Sequence, residues 1–214
     1  MFSLDAFKKE YDIELTTFAL ADRTLNLYVP KTIDRFINKD KPFEGFPLWA
    51  KIWEATAVLA LHLSSIPPDP DRRIMEIGAG MGVAGIYAAS LGHRVTITEY
   101  NRDALNFARA NALENGIHDV DILSLDWRVP HPMGKFDRII GSEVVFREAD
   151  ITTLLSVFKL YLLPGGTITL AEGMRKTSLD FVRVMEKHYS VRLKKQTVKS
   201  AKEDIPVVLI EMSE

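Results

Sequence analysis

Four short stretches hold residue types that can do chemistry together. In Met75-Glu76-Ile77-Gly78-Ala79-Gly80-Met81-Gly82-Val83-Ala84-Gly85 an acid precedes glycines at alternate positions. Glu99 ends the apolar run Val95-Thr96-Ile97-Thr98, about 20 residues beyond that loop. Asp126-Trp127 sets a carboxylate beside a flat ring, and Gly141-Ser142-Glu143-Val144-Val145-Phe146 sets another carboxylate ahead of a ring. Glycine lets backbone N–H groups come close to a ligand, and a helix that starts there adds positive partial charge. The loop is therefore a device for approaching a nucleotide-like cofactor.

The loop can be read in two registers. Gly80, Gly82 and Gly85 spell G-x-G-x-x-G, the dinucleotide fingerprint, while Glu76, Gly78, Gly80 and Gly82 spell an acid followed by G-x-G-x-G. The dinucleotide register puts Gly78-Ala79 where the apolar end of a strand belongs; starting it at Gly78 instead puts Val83 where the third glycine or alanine belongs. Glu99 can accept hydrogen bonds from ribose hydroxyls, which fits NAD and adenosylmethionine equally. Adenine is an aromatic surface with an exocyclic amine donor, and a carboxylate such as Asp126 beside a ring such as Trp127 suits both features.

These residues need elements to position them. Residues 11–30 show two alternating runs around Ala21-Asp22-Arg23, which predict a β-hairpin closed by Pro30. Residues 31–46 are polar and irregular, and Lys41-Pro42-Phe43-Glu44-Gly45-Phe46-Pro47 predicts a loop. Leu48 to Leu63 is free of glycine and proline and predicts one helix, with Trp49 and Trp53 on one face. After Pro67, Pro68 and Pro70 come strand 73–77, helix 83–91, strand 94–98, helix 102–114, strands 119–125 and 136–142, helix 149–162, strand 166–172 and helix 177–187. Such alternation implies parallel strands joined by crossover helices. Asn101 stands as an N-cap, and Gly92 and Asn115-Gly116 stand where helices should end. Beyond residue 188, alternating runs near Tyr189–Leu193 and Ile205–Ile210 predict a terminal antiparallel pair.

Composition narrows the class. A chain of 214 residues suits one core and is too short for a nucleotide domain plus a separate substrate domain. A net charge of −2 makes neither nucleic acid nor an anionic membrane the main partner. With no cysteine, disulfides, thiolate metal sites and cysteine nucleophiles are excluded, and His62, His93, His118, His131 and His188 show no metal spacing. MFSLDAFKKEYDIEL carries Asp5 and Glu10 and makes a poor signal peptide, and no apolar stretch is long enough to span a membrane, so a cytoplasmic protein is expected. Lys187, Arg192, Lys194, Lys195, Lys199 and Lys202 make the last section basic, which fits lysines that guard an edge strand and, secondarily, an acidic protein partner.

Glu76 within its strand, Gly78-x-Gly80-x-Gly82, Glu99, and Leu163-Pro164-Gly165-Gly166 before a late strand together resemble the class I, seven-β-strand S-adenosylmethionine-dependent methyltransferases over about residues 47–212. Pro47-Leu48-Trp49-Ala50-Lys51-Ile52-Trp53, Leu125-Asp126-Trp127 and Glu143 to Phe146 are similar to the P-x-W-A-x-x-W, D-W and [DE]-x-x-[YF] motifs of the branch that methylates protein lysines and N-termini, which also includes nicotinamide N-methylase-like proteins. The resemblance implies an α/β fold: a Rossmann-like doubly wound seven-stranded sheet with a terminal antiparallel pair in an α-β-α sandwich. The N-terminal hairpin and loop, residues 1–46, would precede a methyltransferase domain at 47–214 and cover or border the acceptor pocket.

The resemblance implies S-adenosyl-L-methionine as cofactor, held by Trp53, Glu76, Gly78, Ala79, Gly80, Gly82, Glu99, Tyr100, Asp126, Trp127 and Ser142. The acceptor would be a protein lysine-type amine, or a small-molecule amine as the alternative. Methyl transfer from a sulfonium needs no covalent enzyme intermediate, only an in-line nucleophile and exclusion of water. Glu143 would orient the amine and help remove its proton, or else serve as a structural carboxylate, and Phe146 would wall the acceptor pocket. A catalytically silent adenosylmethionine-binding module and, remotely, an NAD-linked oxidoreductase are the readings from other classes. Oligomeric state leaves no trace in the sequence.

Overall fold

The computed structural model describes residues 2–41, 45–199 and 204–214. Pro42, Phe43 and Glu44 of the expected loop, and Lys202 of the basic section, lie outside the described residues. Helix α1 (Leu4–Glu10), which the sequence reading did not anticipate, is followed by the hairpin β1 (Ile13–Leu20) and β2 (Arg23–Pro30). Its two-residue connection places Ala21 at φ +52°. Helix α2 (Glu54–Ser64) then leads into β3 (Arg73–Glu76), α3 (Val83–Ser90), β4 (Arg94–Glu99), α4 (Arg102–Glu114), β5 (Asp121–Ser124) and β6 (Phe136–Ser142). The chain closes with α5 (Asp150–Tyr161), β7 (Leu162–Gly173), α6 (Lys176–Met185), β8 (Ser190–Lys199) and β9 (Asp204–Ser213).

The main sheet runs β5-β4-β3-β6-β7-β9-β8. Strands β3 to β7 pair in parallel, whereas β9 inserts antiparallel between β7 and the edge strand β8. This is the expected seven-stranded architecture with its terminal pair. Strand order reverses between β3 and β6, and ligands of doubly wound folds bind in the crevice beyond the strand ends at that point.

Period-two alternation divides the core into two layers. Ile74, Val95, Ile97, Ile140, Val207 and Leu209 face α2, α3 and the hairpin. Met75, Ile77, Ile139, Ile168, Ile210 and Met212 face α5 and α6. Caps fall as the sequence indicates: Asn101 Oδ1 accepts from the Ala104 N–H at 3.0 Å, and Gly116, at φ +68°, turns the chain out of α4. Leu163 to Gly166 do not delay β7 as expected; they form a bulge, since Phe136 pairs with Leu162 and Arg138 with Thr167.

Two expectations need correction. The helix at 48–63 is broken: Leu48–Ala50 form a single 3-10 turn, Lys51 is extended, and α2 begins only after an extended Trp53. The break separates the two tryptophans. Trp49 packs on Phe36 and Phe107, at 4.8 and 5.5 Å between ring centroids, while the Trp53 indole N–H donates to the Leu48 carbonyl at 2.9 Å. A continuous helix would have sent both rings the same way. The hairpin, in turn, lies on α4 and gives no residue to the lining of the cleft described next: Tyr28 N–H donates to Asn111 Oδ1 at 2.7 Å, Tyr28 Oη pairs with Glu114, and Tyr11 Oη donates to Asp103 at 2.6 Å. Of residues 31–46, Gly45 and Phe46 do reach the cleft described next.

Candidate active site

A cleft of about 570 Å³ opens at the C-terminal ends of β3, β4 and β6, at the reversal of strand order. Its floor is the glycine turn. Gly78, Gly80 and Gly82 adopt φ of +57°, +55° and +77°, a region that L side chains rarely enter. A Cβ on Gly78 would lie 3.1 Å from the Trp127 ring, and one on Gly80 would lie 3.2 Å from the Trp49 carbonyl oxygen. Gly85 differs in kind: it is helical, and a Cβ there would collide with the Glu76 carboxylate and come within 2.6 Å of Ile97. Alternate glycines make the turn, and Gly85 lets α3 lie on the sheet.

Two buried acids hold this turn. Glu76 accepts the Gly85 N–H at 2.9 Å, so it braces the start of α3 from below. Burial raises its pKa to about 8, with the Gly85 N–H opposing the shift and the nearby Glu99 adding to it. Glu99 accepts from the N–H groups of Gly80, Tyr100 and Asn101 at 2.8–2.9 Å. Burial raises its pKa as well, and those three amides pull it back. Ala79 lines the cleft, and Tyr100 stands exposed at its rim.

Asp126 and Trp127 form the next wall. The Asp126 carboxylate is gripped by Arg128, whose Nε and Nη2 donate at 2.9 and 2.7 Å, and these bonds hold its pKa below the ordinary value. Ser142 Oγ meets Thr56 Oγ1 at 3.1 Å, which ties the end of β6 to α2.

Glu143 is a non-glycine residue at φ +53°, a conformation that costs roughly 1–2 kcal/mol. Its own bonds hold it there: its N–H donates to the Ala171 carbonyl at 2.9 Å, its Oε1 accepts from Gly173 N–H at 2.9 Å, and its Oε2 pairs with Arg175. Arg175 also reaches Glu172 at 3.2 Å. Glu172 is fully buried and accepts from the N–H groups of Val144 and Val145; burial and the charge of Glu143 raise its pKa to about 8. Both oxygens of Glu143 are thus engaged within the protein, so a further partner for Oε2 requires Arg175 to yield. Phe146 lines the cleft, with the Trp53 ring 6.3 Å away and the Arg175 guanidinium 4.7 Å from its centroid.

The structure therefore brings the candidate cofactor and catalytic residues to one cleft, all of them in its lining except Gly82, which supports the turn from beneath. It adds Thr56, Met81, Arg128, Arg147 and Lys51 to the lining, with Glu172 and Arg175 behind it. Glu172 had a signal, a lone acid in the apolar run Thr169-Leu170-Ala171; Arg175 had none. Among the described residues no group of three His, Asp or Glu side chains is placed to hold a metal, and no helix is long and apolar enough to cross a membrane. The cleft suits an adenosyl cofactor: glycines at positive φ keep its floor clear of large side chains, the Glu99 carboxylate closes β4 beside that turn, and Trp127 and Asp126 set a ring and a carboxylate in its wall.

Comparison with known proteins agrees. Residues 47–195 match the family model described as lysine methyltransferase. The chain is 31% identical to the protein N-lysine methyltransferase METTL21A of Xenopus tropicalis over 169 residues, covering 75% of this chain and 78% of that one. Among solved structures, a precorrin-6y C5,15-methyltransferase from Geobacter metallireducens superposes with a TM-score of 0.60 at 23% identity, covering 73% of this chain and 87% of that one. TYW2 from Pyrococcus horikoshii, solved in complex with MeSAdo, superposes with a TM-score of 0.62 at 17% identity over 92% of this chain and 70% of its own. This chain is an S-adenosylmethionine-dependent methyltransferase and belongs to the lysine methyltransferase family.

Proposed function

We propose that the protein methylates the ε-amine of a lysine in a protein substrate. One observation carries this reading: the two aromatic rings at the acceptor end of the cleft, Trp53 and Phe146, each already hold a cation of the chain, Lys51 at 4.2 Å and Arg175 at 4.7 Å from the ring centroids. Rings so placed attract an ammonium on a long apolar stem. A relative named as a protein N-lysine methyltransferase points the same way.

When bound, adenosylmethionine supplies a methyl group already activated on a sulfonium. The roles then divide along the cleft. Gly78, Ala79 and Gly80 give the cofactor a floor with no side chain larger than a methyl group, Gly82 and Glu76 keep the turn in shape, and Glu99, which also holds the Gly80 N–H, accepts from the ribose. Asp126 and Trp127 flank adenine, with Tyr100 over the rim, and Ser142 lines the passage toward the acceptor. Phe146 and Trp53 wall the acceptor amine, which has to lose its proton before it attacks; Glu143 takes that proton when Arg175 releases an oxygen, and otherwise keeps β6 and β7 in register. The proposal includes a cytoplasmic setting. Incubating the protein and methyl-tritiated adenosylmethionine with a cell lysate tests the acceptor class. Label in the protein fraction is expected; label confined to small molecules would replace the proposal with the small-amine alternative.

A further inference from the structure

Lys51 lies in the same cleft as the proposed acceptor site. The segment that carries it is pinned to the cofactor turn, since the Trp49 carbonyl stands 3.2 Å from the Cβ position of Gly80 and the Trp53 indole N–H closes back on Leu48. Between these anchors Lys51 is extended, with φ −108° and ψ 141°, and its Nζ rests 4.2 Å from the centre of the Trp53 ring. The Glu54 carboxylate also reaches that nitrogen, its two oxygens lying at 3.4 and 3.5 Å. An ammonium on a flexible four-carbon stem, seated on an aromatic wall of the cleft beside a carboxylate, is arranged as a tethered acceptor.

We propose that Lys51 is a site of self-methylation, the methyl passing within one molecule from bound adenosylmethionine to Lys51 Nζ. The inference rests on the lysine-acceptor reading above. Lys51 first gives one proton to Glu54 and on to solvent. Its lone pair then forms the N–C bond as the C–S bond breaks, the sulfur keeps that electron pair and becomes a thioether, and the methylated amine takes up a proton again. No further reactant is needed. Tethering replaces a bimolecular encounter with an intramolecular one, so the step needs no docked partner. Lys31, exposed and paired with Asp12 on the hairpin, provides an internal control outside the cleft.

The test uses the full chain with methyl-tritiated adenosylmethionine and no added acceptor, followed by peptide mass spectrometry. The expected result is a gain of one or more methyl groups on the peptide holding Lys51, at a first-order rate independent of protein concentration. Lys51→Arg should lose this label and still bind adenosylhomocysteine in calorimetry, which separates loss of the acceptor from a failure to fold. Independently of turnover, acetylation of Lys51 by an N-hydroxysuccinimide ester should slow several-fold when adenosylhomocysteine is bound, with Lys31 unaffected. Label on lysate proteins with Lys51 unmodified, self-labelling that accelerates with protein concentration, or Lys51 acetylation indifferent to adenosylhomocysteine overturns self-methylation and leaves the lysine-acceptor reading standing. Adenosylhomocysteine binding with no protein label of any kind overturns both.

Discussion

Glu99 gives its carboxylate to three backbone N–H groups, whereas Glu143 divides its own between one N–H and the guanidinium of Arg175. The contrast extends across the cleft. On the β3–β4 side, acids are buried against main chain, and the turn they hold carries glycines at alternate positions, with little side chain to rearrange. On the β6–β7 side, side chains hold side chains: Glu143 and Glu172 share Arg175, and Arg175 lies over Phe146. A rigid floor suits a cofactor of fixed shape, and a wall of exchangeable ion pairs suits an acceptor that arrives and leaves on a flexible stem.

This division can be broken by mutation. The largest effect belongs to Glu99→Ala, which removes the ribose acceptor and leaves the Gly80, Tyr100 and Asn101 amides unpaired. It should weaken adenosylhomocysteine binding by about 2–3 kcal/mol, on the order of 100-fold, in calorimetry. Next is Gly85→Ala, where a methyl group meets Glu76 and Ile97. Overpacking of about 1–3 kcal/mol should lower the melting temperature by roughly 3–10 °C; an unchanged melting curve would mean that α3 can shift away from the sheet. Phe146→Ala sharpens the comparison from the other side: kcat/KM should fall about tenfold, or ~1.4 kcal/mol, with cofactor affinity unchanged. A matching loss of cofactor affinity would erase the distinction between floor and wall.

The smallest effect is a pH dependence. Glu76 has a folded-state pKa raised to about 8, so its contribution to stability is complete below its ordinary value and is lost as pH rises through about 8. Wild-type melting temperature should therefore drop between pH 6 and pH 9, and Glu76→Gln, which has no proton to lose, should drop less. Glu172 carries the same sign, so some decline persists in that variant. Parallel declines in the two proteins would show that Glu76 does not hold its proton near neutrality.

The same contrast explains what could be read without coordinates. The cofactor side is written locally: glycines at alternate positions, an acid within a strand and another at a strand end each state a backbone requirement in their own neighbourhood. The acceptor side depends on partners distant in sequence, so Glu143 and Phe146 could be picked out as types but not paired with Glu172 and Arg175. The broken helix at Lys51 escaped notice because a run without glycine or proline satisfies helical periodicity even where tertiary contacts pull Trp49 and Trp53 to different places. The hairpin was recognised as a hairpin, but its alternation carries no information about docking on α4.

The acceptor is the central claim, and the chemical position of the transferred methyl tests it most directly. Protein labelled with methyl-tritiated adenosylmethionine would be hydrolysed and its amino acids separated. The label is expected to elute as methylated lysine, and Phe146→Ala should reduce it about tenfold. Label in any other amino acid, or recovered only in small molecules, would contradict it.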